Sequence, residues 1–221
     1  MTTDYQDILG RIEAAAIRAN HAATLLAVSK TKPAEAIRSL AARGQRAFGE
    51  NYVQEALAKQ RELGDLDLEW HMIGPLQSNK AREVSEHFDW LQSLDREKLI
   101  APLDRYRPKT RMPLNVLIQV NIDDEASKSG CAPDNVPHLA SAIAAAPRLK
   151  LRGLMAIPQP ISDLAVRRRA FMRMRELFDG LRARHSSIDT LSMGMSDDFE
   201  LAIEEGATMV RIGTALFGAR L

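Results

Sequence analysis

Two lysines, Lys30 and Lys32, lie in the stretch AVSKTKP (27–33), where an apolar run ends just before a proline. A lysine amine can pair with an anion. It can also form a Schiff base with a carbonyl group when burial or nearby positive charge keeps it neutral. Whether either lysine does such chemistry, or both are solvated charges, depends on the elements that position them.

Short apolar runs alternate with helical patterns along the whole chain. In the first helix, for example, apolar residues from Tyr5 to Ala19 recur at spacings of three and four. The predicted strands cover residues 24–28, 47–51, 69–75, 89–95, 114–121, 149–157, 189–194 and a last run from 208. The predicted helices cover residues 5–19, 34–43, 52–63, 79–88, 96–106, 135–146, 162–184 and 198–206.

This alternation predicts an α/β fold of parallel strands with helical crossovers. An open doubly wound sheet and a closed (β/α)8 barrel are both compatible with it. The strand count favours a single TIM-type barrel spanning residues 1–221, which is at the low end of the size range for that fold. Because almost nothing follows the last strand, we expect the extra N-terminal helix, residues 4–19, to fill the gap in the outer ring.

The bulk composition excludes several classes of protein. Hydrophobic residues make up 45% of the chain and charged residues 27%, which is typical of a packed globular domain. A net charge of +1 gives no broad attraction to nucleic acid or to a membrane surface. The single cysteine, Cys131, suits a reducing compartment. With no signal-peptide pattern and no apolar span, we expect a cytoplasmic protein, and we find no metal-ligand spacing and no dinucleotide fingerprint.

In a barrel of this type, functional residues lie at the carboxyl ends of the strands, and phosphate often binds the loops after strands seven and eight. Those loops read SMGMSDD (192–198) and RIGTA (211–215), with small residues, hydroxyls and backbone N–H groups. Asp197 and Glu200 have the spacing of a capping box, which predicts a helix start that attracts anions. Asp197 and Asp198 argue against an anion there unless they face outward. The alternative is a pair of ordinary glycine turns.

Lys30 ends the first strand, which in a closed barrel lies beside the eighth. It could therefore face the same corner as the two loops, and Arg211 could supply the positive charge that favours a neutral amine. Lys32 is adjacent to Pro33, so we interpret it as a solvated charge at the entry to a helix. A lysine beside a phosphate cradle suggests a phosphorylated aldehyde, which could be pyridoxal 5′-phosphate or a sugar phosphate.

Seven stretches that include these residues resemble the pyridoxal phosphate homeostasis protein family. They are LLAVSKTKP (25–33), FGENYVQE (48–55), EWHMIGPLQSNK (69–80), LIQVNIDDEASKSG (117–130), LRGLMAIP (151–158), LSMGMSDDFELAI (191–203) and VRIGTALFGAR (210–220). The stretches are long, and the resemblance covers nearly the whole chain. It implies a fold similar to the barrel domain of alanine racemase, without that enzyme's second domain.

The resemblance also implies a role for individual residues. Lys30 would carry pyridoxal 5′-phosphate as an internal aldimine, Asn51 would lie near the pyridine ring, and Arg211 would lie beside the pyridine nitrogen. The residues implied to hold the phosphate are Met195, Ser196, Gly213 and Thr214.

The family is understood to bind, buffer or deliver the cofactor in vitamin B6 homeostasis, without established catalysis. An arginine such as Arg211 cannot donate its proton to the ring nitrogen, which weakens the ring as an electron sink. Racemisation would also need an acid or base opposite Lys30, and the available tyrosines, Tyr5, Tyr52 and Tyr106, are not at predicted strand ends. Three hypotheses remain: a non-catalytic homeostasis protein, a compact racemase-like enzyme and a Schiff-base aldolase acting on a sugar phosphate.

Partners and secondary residues are less constrained by the sequence. The resemblance suggests apo-enzymes that depend on pyridoxal 5′-phosphate as recipients. We expect a monomer, although the sequence does not decide between a monomer and a dimer. Lys128 could be a second, transient cofactor contact or a solvated loop lysine. His71 could be structural or could lie next to the cofactor ring.

Overall fold

The computed structural model describes residues 4–123, 129–159 and 163–218, and within them eight parallel strands close into a barrel. Each strand pairs with the next, and pairing of the first with the last closes the ring. The strands are β1 (Thr24–Val28), β2 (Ala47–Glu50), β3 (Glu69–Met72), β4 (Trp90–Leu94), β5 (Leu114–Gln119), β6 (Leu149–Met155), β7 (Thr190–Ser192) and β8 (Met209–Ile212). The predicted TIM-type fold is therefore confirmed.

Helices cover the outside of this barrel. They are α1 (Tyr5–Ala19), α2 (Ala34–Ala42), α3 (Val53–Glu62), α4 (Ala81–His87), α5 (Ile100–Tyr106), α6 (Val136–Ala144), α7 (Leu164–Arg182), α8 (Phe199–Glu204) and α9 (Thr214–Phe217). Across the described ranges, none of the helices has both the length and the apolar composition needed to cross a lipid bilayer.

The N-terminal helix α1 occupies the gap in the outer ring, as the sequence predicted. The helix that follows β8, α9, has only four residues, so it leaves the β8–β1 seam uncovered. On one side α1 is held to α8 by ion pairs from Arg11 to Glu200 (2.7 Å) and from Arg18 to Glu204 (3.1 Å). On the other side the hydroxyl of Tyr5 donates to Gln45, just before β2, at 3.1 Å.

Buried side chains form one large cluster between strands and helices and smaller clusters inside the barrel. Leu26, Ile73 and Met209 pack together in the barrel interior, and Trp90, Leu117 and Met155 form a second interior cluster. Since side chains alternate along a strand, the residues two positions from these also point inward. By this alternation the polar residues His71, Gln92 and Arg211 lie in the interior, and all three are buried.

We predict that α1 contributes to stability as an integral part of the wall. Ile8 is fully buried in the large cluster, so Ile8→Ala should lower the free energy of unfolding by about 2–4 kcal/mol. Ile17 is on the same helix but 73% exposed, so Ile17→Ala should change it by less than about 0.5 kcal/mol. Urea unfolding of both variants measures the difference, and equal effects would contradict the packed position of α1.

Candidate ligand site at the barrel mouth

A pocket of about 490 Å³ opens at the carboxyl ends of the strands. The seven residues that the resemblance assigned to the cofactor all line it. The structure therefore brings together, in one pocket, residues from β8 and from the loops after β1, β2, β7 and β8, namely Lys30, Asn51, Met195, Ser196, Arg211, Gly213 and Thr214. The roles of these residues in binding remain predictions.

Lys30 lies in a tight turn that follows β1. The Lys32 N–H donates to the Ser29 carbonyl at 3.0 Å, which closes a four-residue turn with Lys30 and Thr31 at its centre. Thr31 has φ 62°, in the left-handed region that a β-branched residue rarely adopts. Its N–H donates to the carboxylate of Glu55 at 2.6 Å. This external hydrogen bond holds a strained turn in place, and the turn fixes the backbone from which Lys30 projects.

A buried lysine, Lys59 of α3, ties the turn to the end of β2. Its Nζ donates to the Ser29 carbonyl at 2.8 Å, to Glu50 at 2.7 Å and to Glu55 at 2.6 Å. The hydroxyl of Ser29 also donates to Glu50 at 2.6 Å. Burial raises the pKa of Glu50, whereas the hydrogen bonds from Lys59 and Ser29 oppose that rise. The cluster links the backbone before Lys30 to Glu50, which directly precedes Asn51 in the chain.

Asn51 is positioned by the close approach of the neighbouring β3 loop. A Cβ atom at Gly74 would lie 2.3 Å from the Asn51 carbonyl oxygen, so only glycine fits there. The Gly74 carbonyl in turn accepts a hydrogen bond of 2.6 Å from the buried hydroxyl of Ser93. The loops after β2 and β3 therefore pack directly on each other.

Arg211 is the buried cation of the pocket, with 4% of its surface exposed. Its guanidinium donates to two neutral oxygens, the Ser192 hydroxyl and the Ala156 carbonyl, both at 2.7 Å. Burial lowers the pKa of Arg211 to about 10, and the nearby Asp198 opposes the shift. The side chain therefore keeps its positive charge at neutral pH.

The loops after β7 and β8 each pack closely against a neighbouring element at a glycine. Gly194 has φ +90°, and a Cβ atom on it would lie 2.5 Å from the Cβ of Ala202. Gly213 lies against Val28 of β1, and a Cβ atom on Gly213 would lie 3.2 Å from the Val28 carbonyl oxygen and 3.3 Å from the Val28 Cβ. The N–H of Thr214 belongs to the first turn of α9 and has no acceptor within that helix.

The expected capping box between Asp197 and Glu200 does not form. Helix α8 begins only at Phe199, and its first residues have no side-chain cap. Glu200 instead pairs with Arg11, because α1 packs against this helix. Asp198 accepts the Met195 N–H at 2.7 Å, so that amide is already bonded and the Met195 side chain forms part of the exposed rim. Asp197 also lies on the rim and is exposed.

The structure separates the two lysines of the opening motif. Lys30 lines the pocket, and Lys32 is not part of its lining. The Nζ of Lys32 donates to the carbonyls of Phe217 and Gly218, both at 3.1 Å. The interpretation of Lys32 as a solvated charge is therefore wrong. The last carbonyls at the end of α9 lie beside it and accept its hydrogen bonds, as cations commonly cap the end of a helix.

Several pocket residues were not singled out from the sequence. Gln119 and Ser129 line the pocket, joined by a 3.1 Å hydrogen bond from the Gln119 amide to the Ser129 carbonyl. A glutamine at the end of the apolar run LNVLIQ was the available signal. His71 is placed in the barrel interior and outside the pocket lining. Lys128 lies outside the described residues.

A second pocket of about 540 Å³ lies between α6 and α7 on the outer wall. It contains none of the seven predicted residues, and its lining comes from the two helices and the segments next to them. The slightly smaller pocket at the barrel mouth is the stronger candidate for function, because a lysine and a buried arginine from distant parts of the chain converge on it.

Known proteins resemble this chain along nearly its full length. The family described as "Alanine racemase, N-terminal domain" matches residues 4–221. The pyridoxal phosphate homeostasis protein of Pseudomonas aeruginosa is 61% identical over 196 residues, covering 89% of this chain and 84% of that protein. The protein of the same name from Escherichia coli K12 is 56% identical over 216 residues, covering 95% and 92%.

Solved structures show the same relationship. PipY of Synechococcus elongatus, solved with PLP bound, is 40% identical and superposes with a TM-score of 0.80, covering 94% of this chain and 99% of that one. An alanine racemase from Corynebacterium glutamicum superposes with a TM-score of 0.69 at 20% identity, covering 99% of this chain and 63% of that enzyme. The second likeness concerns the fold alone.

We predict that Lys59 stabilises the turn that carries Lys30. Lys59→Met would leave Glu50 buried without the cation that pairs with it, so it should lower the free energy of unfolding by about 3–5 kcal/mol at pH 7. The more exposed pair of Lys80 and Glu83 provides the control, and Lys80→Met should cost less than about 1 kcal/mol. Urea unfolding measures both, and hydrogen exchange at the Thr31 N–H should become faster only in Lys59→Met.

The pH dependence of the Lys59→Met variant has a defined sign. A group whose folded pKa is raised stabilises the protein at low pH and loses that contribution as pH rises through the folded pKa. Removing Lys59 leaves burial to raise the pKa of Glu50 without opposition from the lysine. The stability deficit should therefore shrink as pH falls from 7 toward 5. A deficit that is constant over this range would contradict the assignment to Glu50.

Proposed function

The chain belongs to the alanine racemase N-terminal domain family and, within it, to the pyridoxal phosphate homeostasis proteins, and on this premise we propose that it binds pyridoxal 5′-phosphate at the barrel mouth. In this proposal the protein acts in vitamin B6 homeostasis by buffering the cofactor or delivering it. The observation that carries the proposal is the convergence of Lys30, Arg211 and two small-residue loops on one pocket.

The chemistry of the pocket fits this ligand. Its volume of about 490 Å³ lies in the range of small-molecule sites. Arg211 carries a buried positive charge whose hydrogen-bond acceptors in the protein are neutral, which suits an electron-rich aromatic nitrogen or an anion nearby. Gly213 and Thr214 offer backbone and hydroxyl donors close to the end of β1.

When bound, the cofactor supplies an aldehyde and a phosphate group. The uncharged amine of Lys30 can attack the aldehyde carbon, and loss of one water molecule leaves a C=N bond with no change in oxidation state. This Schiff base is the linkage that we propose for the resting protein. Glu55 and Lys59 hold the turn in place. The turn would therefore keep the Lys30 amine at the pocket, so that the amine need not move when the ligand binds.

The remaining residues would orient the ligand. Asn51 would lie beside the ring, held in place by its packing on Gly74. Arg211 would donate a hydrogen bond to the ring nitrogen and keep that atom unprotonated, since a guanidinium does not give up its proton at neutral pH. The phosphate would be held by groups from Met195, Ser196, Gly213 and Thr214. Because the Met195 N–H is bonded to Asp198, we expect Ser196 and the α9 side to contribute more.

We propose that the protein is not an enzyme. Racemisation requires an acid or base on each face of the substrate, and Lys30 supplies one. The tyrosines in the described residues do not line the pocket: Tyr5 is the buried first residue of α1, whereas Tyr52 and Tyr106 are 60% and 37% exposed at the surface. Recipients would be cytoplasmic apo-enzymes that depend on the cofactor, and the protein would act as a monomer.

We predict that Lys30 alone forms the covalent link. Purified protein mixed with pyridoxal 5′-phosphate should show an absorbance band near ~420 nm, and Lys30→Ala should abolish it. Lys32→Ala, two residues away and outside the pocket, should retain the band. Borohydride reduction of the C=N bond followed by peptide mass analysis should place the phosphopyridoxyl group on Lys30. A label on another lysine in wild-type protein would contradict the assignment.

We also predict that the loaded protein does not turn over amino acids. Holo-protein incubated with L-alanine in deuterated water should leave the Cα proton unexchanged, as judged by proton NMR, because no tyrosine of the described residues lines the pocket opposite Lys30. An alanine racemase run in parallel confirms that the assay detects exchange. Rapid deuterium incorporation that is lost in Lys30→Ala would favour the compact racemase-like enzyme.

A further inference from the structure

A chain of four hydrogen bonds runs through the barrel interior from the pocket toward the opposite face. Arg211 Nη1 donates to Ser192 Oγ at 2.7 Å, and Ser192 Oγ donates to Gln92 Oε1 at 2.8 Å. Gln92 Nε2 lies 2.9 Å from His71 Nδ1, and His71 Nε2 lies 2.7 Å from Glu69 Oε1. We call these five residues the polar relay. It connects β8, β7, β4 and β3.

The hydrogen bonds of the polar relay run from donor to acceptor in one direction, which is set by the chemistry of its two end residues. Arginine can only donate and an ionised carboxylate can only accept. Burial raises the pKa of Glu69, but the contacts from His71 and other groups outweigh this and lower it overall, so Glu69 is ionised at neutral pH. Ser192 must then donate onward to Gln92, whose amide donates to Nδ1 of His71. A neutral His71 that carries its proton on Nε2 satisfies every member.

The inner members of the polar relay are sealed from water. Ser192, Gln92 and His71 are fully buried, whereas the side chain of Glu69 is 45% exposed at the start of β3. Breaking a buried hydrogen bond leaves a donor or acceptor without compensation, because water cannot reach it. The orientation of each inner group is therefore fixed by its neighbours, and the neighbour of Ser192 is the guanidinium in the pocket.

Aromatic stacking fixes the plane of the histidine. The rings of His71 and Trp90 are stacked, with centroids 5.1 Å apart and planes 10° from parallel. The guanidinium of Arg152 lies 4.7 Å from the centroid of Trp90. His71 is thus held by packing on its face and by hydrogen bonds at both nitrogens, which makes it a rigid end for the buried part of the polar relay.

We propose that Ser192, Gln92 and His71 are positioning residues that hold the Arg211 guanidinium in one orientation and so set the surroundings of the bound pyridine ring. This inference rests on the proposed function, because it concerns how the pocket presents Arg211 to its ligand. None of the three residues lines the pocket, so each acts on the ligand through Arg211.

Two substitutions break the polar relay at its centre. Gln92→Leu removes the amide that joins Ser192 to His71, and His71→Phe keeps an aromatic ring on Trp90 but removes both nitrogens. Each should weaken the affinity for pyridoxal 5′-phosphate about tenfold and shift the absorbance maximum of the loaded protein. His71→Asn restores an acceptor near the position of Nδ1, so it should recover most of the affinity and the wild-type spectrum.

A matched control separates positioning from general destabilisation. Leu117 is fully buried in the interior cluster that contains Trp90, but it is not part of the polar relay. Leu117→Ala should lower the melting temperature through a cavity and leave the affinity and the absorbance maximum unchanged. If Gln92→Leu and His71→Phe behave like Leu117→Ala in both ligand readouts, the positioning role is overturned.

A ligand-free measurement distinguishes this proposal from the proposed function. Nitrogen-15 NMR of the wild-type protein should find His71 neutral with its proton on Nε2, and should find slow rotation of the Arg211 guanidinium that becomes faster in Gln92→Leu. If the wild-type protein shows these signals but takes up no pyridoxal 5′-phosphate, the proposed function is overturned, whereas the orientation of Arg211 by the polar relay still holds. Free guanidinium rotation in wild-type protein would overturn the polar relay itself.

Discussion

Closure of the barrel between β1 and β8 is the constraint on which the pocket depends. The parallel pairing of Leu26 with Arg211 and of Ala27 with Ile212 fixes the register of these two strands. That register brings the turn of Lys30 next to Gly213, although about 180 residues separate them in sequence. The seam is then covered from outside by α1 and tied near its mouth by Lys32, which binds the end of α9. A site made from both ends of the chain exists only in the closed barrel.

Two buried cations near the mouth are compensated in opposite ways. Lys59 binds two carboxylates, Glu50 and Glu55, so its charge is neutralised within the wall and serves to fix backbone. Arg211 donates hydrogen bonds to a hydroxyl and a carbonyl, and these neutral acceptors do not neutralise its positive charge. The positive charge of Arg211 is therefore retained at the pocket, whereas the charge of Lys59 is neutralised in the wall, where the lysine only fixes the backbone. Positive charge in the pocket would favour the neutral amine of Lys30 that the proposed Schiff base requires.

The sequence predicted the parts of the structure that depend on local pattern. Alternating strands and helices identified the barrel, and the rule that function lies at strand ends selected Lys30 and Arg211 before any contact was known. The failures have a common cause in packing between distant segments. Glu200 left its expected capping box because Arg11 of α1 binds it, and Lys32 gained the carbonyls of α9. The four residues of α9 are too short to give a periodic signal.

The polar relay could not be predicted for a deeper reason. His71, Gln92 and Ser192 are spread over about 120 residues, and each looks like an ordinary polar residue in its own strand. Barrel interiors are usually filled by layers of branched apolar side chains, which avoid the cost of desolvating polar groups. A polar interior is tolerable when every member is satisfied, and that requires a donor at one end and an acceptor at the other. Arg211 supplies the donor. The buried arginine at the pocket and the polar core beneath it therefore form one continuous hydrogen-bonded structure.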